Sequence, residues 1–397
     1  MSKLVITQMP FGEKKLQVSA LIEENRLVDL NVHNMAVPSI LGNIYVGKVD
    51  RVATDLKAVF VRISADQVCF LPWKDCEYAI YKTRGRSGVP KAGDEILVQV
   101  NREALKEKLP SVTCNLSMAG KYLVLTSGEN KLGTSNKLSH EEQLRLKNIL
   151  SEICIDDRFG VIARTSANDI SYEKIAEEYT YLHEQLHRII TYGESRTCYS
   201  CLLQSKTEWQ GMLEHIPEDK IEEIVLDDIE EAELVNAYLQ RQSPALLSCV
   251  RIYQDKLLPL YKLYSLEKIL HDATQKKVWL KSGGFLVIEQ TEAFVVIDVN
   301  TGKAVTKKKA EEAYRKINLE AACEIAYQLR IRQLSGTILV DFINMTSKEH
   351  IDELLHVLKN AVKKDFSKTV VIDVTALQIT EMTRQKSRRS LLEELHL

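Results

Sequence analysis

Two short stretches carry the residues best suited to chemistry. In "FVVIDVN", residues 294–300, four apolar positions lead into Asp298, and Asn300 follows two positions later. In "TILVDFINM", residues 337–345, a second apolar run leads into Asp341. A carboxylate at the end of a buried strand is costly unless something offsets its charge. Between the two stretches lies "AEEAYRKINLEAACEIAYQLRIRQL", whose apolar residues recur at helical spacing, so the pattern predicts strand, long helix, strand. Such a unit makes its strands parallel through a right-handed crossover, and parallel strands bring their carboxyl ends to one edge, where open α/β sheets place ligands. Asp298 and Asp341 are therefore expected to face one crevice. Held close without a cation, two carboxylates repel and one keeps its proton. A divalent cation removes that cost: Mg²⁺ is usually held by one or two carboxylates with water and phosphate oxygens, and Mn²⁺ accepts the same ligands. Lys303 and then Lys307, Lys308 and Lys309 follow at once, and a metal with lysines beside it suits a phosphodiester better than a neutral substrate. The plainer alternative is that Asp ends strands as a turn former or cap. Asp373, in "VVIDVT", is read that way.

The elements that must position these groups belong to a multi-domain α/β chain. Its 397 residues, 45% of them apolar, suffice for roughly two to three domains. With a formal net charge of −2, any phosphate-binding surface must be local rather than a general basic coat. No apolar stretch reaches the roughly 18 residues of a membrane span, and the start is not that of a leader, so a cytosolic (cytoplasmic) protein is expected. The eight scattered cysteines are read as reduced, packed thiols. Cys198 and Cys201, in "CYSC", have the spacing of a zinc pair but no second pair, so no structural zinc is expected there.

Along the chain, "KLVITQMP" and "KLQVSALIEENRLVDLNVH" alternate about Pro10 to Gly12 and predict an opening antiparallel sheet. From Gly42 to Lys74, four short β-rich runs with turns at Gly47 to Lys48, Thr54 to Lys57 and Ala65 to Gln67 have the cadence of a small barrel. "DEILVQVNRE" and "SVTCNLSMAGKYLVLTS" continue the β-rich zone. Helical periodicity begins at His140 and again over "YEKIAEEYTYLHEQLHRIITYG", where Gly193 is the expected terminator, with "GVIARTSA" as a strand between. From 207 to 277 short helices alternate with "EEIVLDD" and "LLSCVRIY". The last part reads as strands about a turn at Gly283 and Gly284, then βαβαβ with "KTVVIDVT" as the third strand.

"SGGFLVIEQTEAFVVIDVNTGK", "INLEAACEIAYQLRIRQLSGTILVDFINM" and "TEMTRQK" together resemble the catalytic core of the ribonuclease E/G family of bacterial endoribonucleases. "GNIYVGKV", "AVFV", "FLPW", "MAGKYLVL" and "VIARTS" resemble the same family in the same order, so the likeness covers nearly the whole chain. The resemblance implies an RNase-H-like subdomain split between 1–37 and 207–277. It also implies an inserted OB-fold RNA-binding barrel at 38–119, a 5′-end sensor subdomain at 120–206 and a DNase-I-like α/β catalytic subdomain at 278–397. Asp298 and Asp341 match the aspartates that bind the catalytic Mg²⁺, and Asn300 matches the Asn that helps hold the scissile phosphate. The implied chemistry is in-line attack of an activated water on single-stranded, A/U-rich RNA, such as rRNA precursors and mRNA, leaving 5′-phosphate and 3′-hydroxyl ends. Phe60 and Phe70 match aromatics that stack on bases, although a Phe in "AVFV" is more often core. Lys108 matches a lysine near the substrate, and Lys303 is taken with it as RNA-binding. Gly120, Val124, Arg164 and Thr165 match the pocket for a 5′-monophosphate, for which an Arg fork and a hydroxyl are apt donors.

The departures from the family pattern carry expectations of their own. Family members usually continue past "EMTRQK" into a Cys-Pro-x-Cys zinc link and a small dimerisation domain, whereas this chain stops at Leu397, so a homodimer is expected to be weakened. Gln378 stands where the family usually has Gly, Ala376 where some members carry a sensor Arg, and Asn136 where an Arg is usual, so weak 5′-end sensing is expected. Two other functions use the same residues: an RNA-binding relative without turnover, and a metal phosphatase on a small metabolite. The phosphatase gives no reason for a β-barrel.

Overall fold

The computed structural model describes the chain except for residues 37–38, 84, 105–108, 129, 155, 157, 206, 303–309, 387 and 396–397. The chain divides into two units, residues 1–38 with 208–397, and residues 39–207.

In the 39–207 unit the strand Ile44–Ala53 pairs on one side with Ala58–Arg62 and on the other with Glu95–Arg102. With Val68–Pro72 and Ser111–Thr113 these strands close a five-stranded, OB-like barrel. Gly47, expected in a turn, lies inside the first strand. A Cβ there would stand 2.6 Å from Val61 Cγ1 and 3.0 Å from Val98 Cγ2, so the glycine marks close approach of the two flanking strands, one of the uses of Gly in a strand interior. A second sheet, Ser117–Ala119, Leu123–Thr126, Gly160–Ala163 and Leu132–Thr134, packs against the helices His140–Ile153 and Tyr172–Ser195. The first helix is capped by the Ser139 side chain, which accepts from Glu142 N–H. The second buries Ile175, Tyr179, Leu182, Leu186 and Ile189, spaced by three and four. It also runs past Gly193, the expected terminator. A Cβ at Gly193 would meet Leu97 Cδ2 at 2.7 Å and Leu202 Cδ1 at 2.9 Å, so the residue there serves close packing rather than termination.

The other unit holds two sheets. The antiparallel strands Ser2–Phe11, Lys14–Glu23 and Arg26–Asn34 are extended, on the free edge of the first, by the parallel strands Ile221–Leu226 and Val250–Ile252. The second sheet runs Lys277–Trp279, Phe285–Gln290, Phe294–Asn300, Gly336–Asp341, Ile379–Arg384, Thr369–Val374. The predicted parallel pair with its helix, Ala310–Ile331, is present. The third strand of the expected βαβαβ is not its neighbour, because Ile379–Arg384 returns by a hairpin and inserts antiparallel between them. That segment alternates half-exposed with buried residues, Thr380, Met382 and Arg384 pointing inward, so its period of two was there to be read. In the hairpin Gln378 takes φ 65°, a conformation that glycine adopts without steric cost.

Among the described residues, helices pack against one face of this second sheet. Val295, Ile297, Val299, Ile338 and Val340 pack with Ile317, Ala321, Ile325 and Leu329 of Ala310–Ile331 and with Leu354 and Leu358 of Lys348–Val362. The opposite face is open along Phe294–Asn300, where Phe294, Val296 and Asp298 are exposed and Asn300 half-exposed, alternating with the buried Val295, Ile297 and Val299. Asp298 therefore does not end a fully buried strand, as the apolar run suggested. It stands on the open face with Phe294, Val296 and Asn300. Among the described residues no helix is long and apolar enough to cross a membrane.

Candidate active site

The parallel register makes Asp298 and Asp341 Cα partners, so their side chains lie abreast on the open face, on strands about 4.8 Å apart. Asn300, two residues on, shares that face, and its Nδ2 donates to Asp298 Oδ2 at 2.7 Å. The Asp341 carboxyl is pushed above its ordinary range, first by partial burial and then by the charge of Asp298. The pair thus shows the repulsion expected of two carboxylates brought together without a cation.

One helix holds the chain on both sides of the pair. Asn318, fully buried on Ala310–Ile331, donates through Nδ2 to Ile343 O at 2.7 Å and accepts through Oδ1 from Ile343 N–H at 3.1 Å, which fixes the exit from the Asp341 strand. Glu311 accepts from Thr346 and Ser347 N–H at 3.0 and 3.2 Å. Glu320 accepts from Lys281 and Ser282 N–H at 2.6 and 3.0 Å, which fixes the turn at Gly283 and Gly284. That turn lies against the end of the Asp298 strand: a Cβ at Gly284 would stand 2.8 Å from Asn300 O and 2.9 Å from Ile317 Cγ2. The sequence reading missed Glu311, Asn318 and Glu320. Their signal is weak, since a polar residue on a helix usually means only a solvated face.

The donor set suits a hard cation. Among the described residues no group of three or more His, Cys, Asp and Glu is placed to share a metal. Two carboxylates abreast on an open face, one of them raised by partial burial and by the other's charge, are what Mg²⁺ takes together with water and phosphate oxygens. Lys303 and the Lys307 to Lys309 run lie outside the described residues.

In the other unit, Phe60 and Phe70 face each other across paired strands, ring centroids 6.1 Å apart and edge to face. Phe60 is buried, with the Arg51 guanidinium 4.3 Å above its ring, and Phe70 is half-buried. Lys108 lies outside the described residues. Gly120, Arg164 and Thr165 meet at one end of the four-stranded sheet. Arg164 donates to Gly120 O through Nη1 and to Tyr122 O through its backbone N–H, and Thr165 Oγ1 lies 2.8 Å from Ser135 Oγ. Val124 is half-buried on the neighbouring strand, opposite Ile162. Glu178 accepts from the N–H groups of Lys121, Tyr122 and Leu123 at 2.6, 2.7 and 2.7 Å and so fixes the loop after Gly120. Cys198 is half-buried and Cys201 exposed.

The sequence model of the Ribonuclease E/G family matches residues 117–387. Ribonuclease G of Escherichia coli (strain K12) is 31% identical over 383 residues, which cover 94% of this chain and 78% of that protein. Ribonuclease E of Haemophilus influenzae is 33% identical over 386 residues, covering 95% of this chain and 41% of that protein. Ribonuclease E of Escherichia coli (strain K12) is 32% identical over 394 residues, covering 97% and 37%.

Proposed function

The chain belongs to the ribonuclease E/G family, and we infer that it is an endoribonuclease that hydrolyses single-stranded, A/U-rich RNA with Mg²⁺, leaving 5′-phosphate and 3′-hydroxyl ends. The observation that carries this reading is the register that sets Asp298 beside Asp341, with Asn300 on the same open face. Asp298 and Asp341 would hold the cation. Mg²⁺, for which Mn²⁺ can substitute, would supply a lowered water pKa and stabilisation of charge on the phosphoryl oxygens. Asn300 orients Asp298 in the unbound protein through its 2.7 Å hydrogen bond and offers an N–H donor to a non-bridging oxygen of the scissile phosphate. The clamps from Asn318, Glu311 and Glu320 keep both flanking loops in place, which limits reorganisation when charge develops. An open, helix-free face gives an extended strand room to lie across the carboxylates.

The same reading assigns the helix-backed sheet to a DNase-I-like catalytic subdomain and the N-terminal sheet to an RNase-H-like one. The barrel holds single strands by stacking bases on the half-buried Phe70 and on Phe60, whose buried ring a base reaches only by displacing the Arg51 guanidinium over it, and stacking of this kind tolerates many sequences. Gly120, Val124, Arg164 and Thr165 receive the 5′-monophosphate. The substrates are rRNA precursors and mRNA of the cytoplasm.

The test is cleavage of a short A/U-rich RNA carrying a 5′-monophosphate or a 5′-hydroxyl, with Mg²⁺ or with chelator, by wild type, Asp298→Asn and Asp341→Asn. The expected result is metal-dependent cutting that both variants lose while they still bind RNA, with the ratio between the two 5′ ends reporting on the sensor. Tight binding with no cutting by wild type at any enzyme concentration would overturn the assignment and leave an RNA-binding relative.

A further inference from the structure

The open face that bears Asp298 and Asn300 carries an aromatic pair one row along. Trp279 is opposite Phe285, and Phe285 is opposite Asn300, so the three side chains form one row across three strands. Residues paired directly in antiparallel strands share a face. The next row runs Lys277, Val287, Asp298, Asp341. Trp279 is 65% exposed, a large apolar area for a side chain that serves no core. Its ring centroid lies 5.3 Å from that of Phe285, the planes inclined at 59°. The Lys277 ammonium stands 4.0 Å from the Trp279 centroid and 3.7 Å from that of Phe285. Exposed aromatic surface with a lysine cation over it is the composition of sites that bind single-stranded nucleic acid, where rings stack on bases and the cation meets the backbone.

We propose that Trp279 and Phe285 form a base-stacking subsite for a nucleotide beside the scissile phosphate, with Lys277 contacting its phosphate. The inference rests on the nuclease reading above and deepens it. Trp279 is two strands from Asn300, about 10 Å, so a strand laid over Asp298 and Asp341 toward this edge brings a neighbouring base onto the rings. An incoming base displaces the lysine head, whose flexible stem lets it move to the phosphate beside that base. A protein partner would also cover an apolar patch. The lysine over the rings and the continuity of the patch with the Asp298 row favour a polyanion that already has to cross this face.

Two measurements test it. In the first, RNA affinity is measured in chelator, without turnover, for wild type, Trp279→Ala, Trp279→Phe and Lys277→Ala, with intact RNA and with RNAs abasic at each position around the cleavage site. In the second, kcat/KM is measured with Mg²⁺ on the same set. Wild type should lose roughly tenfold on one abasic RNA. Trp279→Ala should lose as much on intact RNA and be indifferent to that abasic position, whereas Trp279→Phe should recover most of the loss. Lys277→Ala should flatten the salt dependence of binding. Unchanged affinity for Trp279→Ala, or losses that simply add, would overturn the subsite. So would a change in sedimentation of Trp279→Ala with RNA affinity intact, which would assign the patch to a protein contact. If wild type binds but never cuts, the nuclease reading fails, while the affinity series still decides whether the rings stack on a base.

Discussion

Asp298 and Asp341 differ in their surroundings although the register makes them neighbours. Asp298 already holds a hydrogen bond from Asn300, whereas Asp341 is raised by partial burial and by Asp298 itself. Replacing either with Asn keeps the shape and removes the charge, so kcat/KM should fall on the order of a hundredfold or more in both, with the unfolding midpoint unchanged or slightly raised as repulsion is relieved. A drop in stability in step with activity would count against a functional role. Glu320 gives a pH dependence. Burial pushes its carboxyl up, but hydrogen bonds from Ser282 and Lys281 outweigh that and hold it below its ordinary 4.5. A carboxyl lowered on folding stabilises the native state fully above its unfolded value, and the contribution is lost as pH falls through the lowered native value. Urea unfolding between pH 7 and pH 3 should therefore show a loss of stability below about pH 4.5 that is smaller in Glu320→Gln than in wild type.

Two elements set the geometry around these residues. The turn at Gly283 and Gly284 touches the backbone of Asn300, and a methyl group at position 284 would have to displace Asn300 O or Ile317. Gly284→Ala should cost about 1–3 kcal/mol of stability and reduce kcat more steeply than that implies, because a shift of about 1 Å near the chemistry can cost about a hundredfold. Steady-state kinetics beside urea unfolding would separate the two effects. The strand next to Asp341 is anchored by Arg384, which donates to Asp365 at 2.7 and 3.1 Å and to Leu334 O at 3.0 Å with both charged side chains nearly inaccessible. Asp365→Ala leaves that guanidinium buried and unpaired, so about 3–5 kcal/mol should be lost in urea unfolding. Much of this scale was legible in the sequence. The apolar run in "FVVIDVN" and the helical spacing after it predicted a strand and a helix correctly, although the run suggested full burial and the strand is buried on one face only. Gly47 and Gly193 were misread because a glycine needed for close approach looks, in sequence, like a glycine needed for a turn. "ITEMTR" carries a strand's alternation, but its placement between Asp341 and the last strand depends on pairing that no local pattern encodes.

At the scale of the molecule, the buried clusters fall wholly within one unit or the other. Those of the barrel and the sheet beside it use only residues 40–203, and the other three use residues 4–32 and 209–395. Residues 39–207 expressed alone are therefore expected to fold cooperatively, with one sigmoidal urea transition and dispersed amide resonances, since the buried clusters described in that unit draw only on its own residues. A net charge of only −2 leaves RNA binding to local basic groups. The logarithm of affinity should still fall linearly with that of salt, with a slope near −0.7 for each phosphate neutralised on a single strand. A flat response would point instead to a small phosphorylated substrate.

The sequence by itself determined the local structure: the strands that carry Asp298 and Asp341, the long helix between them, the barrel's cadence and the order of motifs that marks the family. These are short-range properties, written in residue type and in periods of 2 and 3.6. The sequence placed Asp298 and Asp341 at one sheet edge, but tertiary structure alone decided that they are direct register partners, that the strand of Asp298 is covered by helices on one side and exposed on the other, and that Trp279, Phe285 and Asn300 share a row. Each of these depends on strand register, where a slip of one residue would turn every side chain to the opposite face. Register is settled by the packing of Val295, Ile297 and Val299 against residues far along the chain, and so only in the folded molecule.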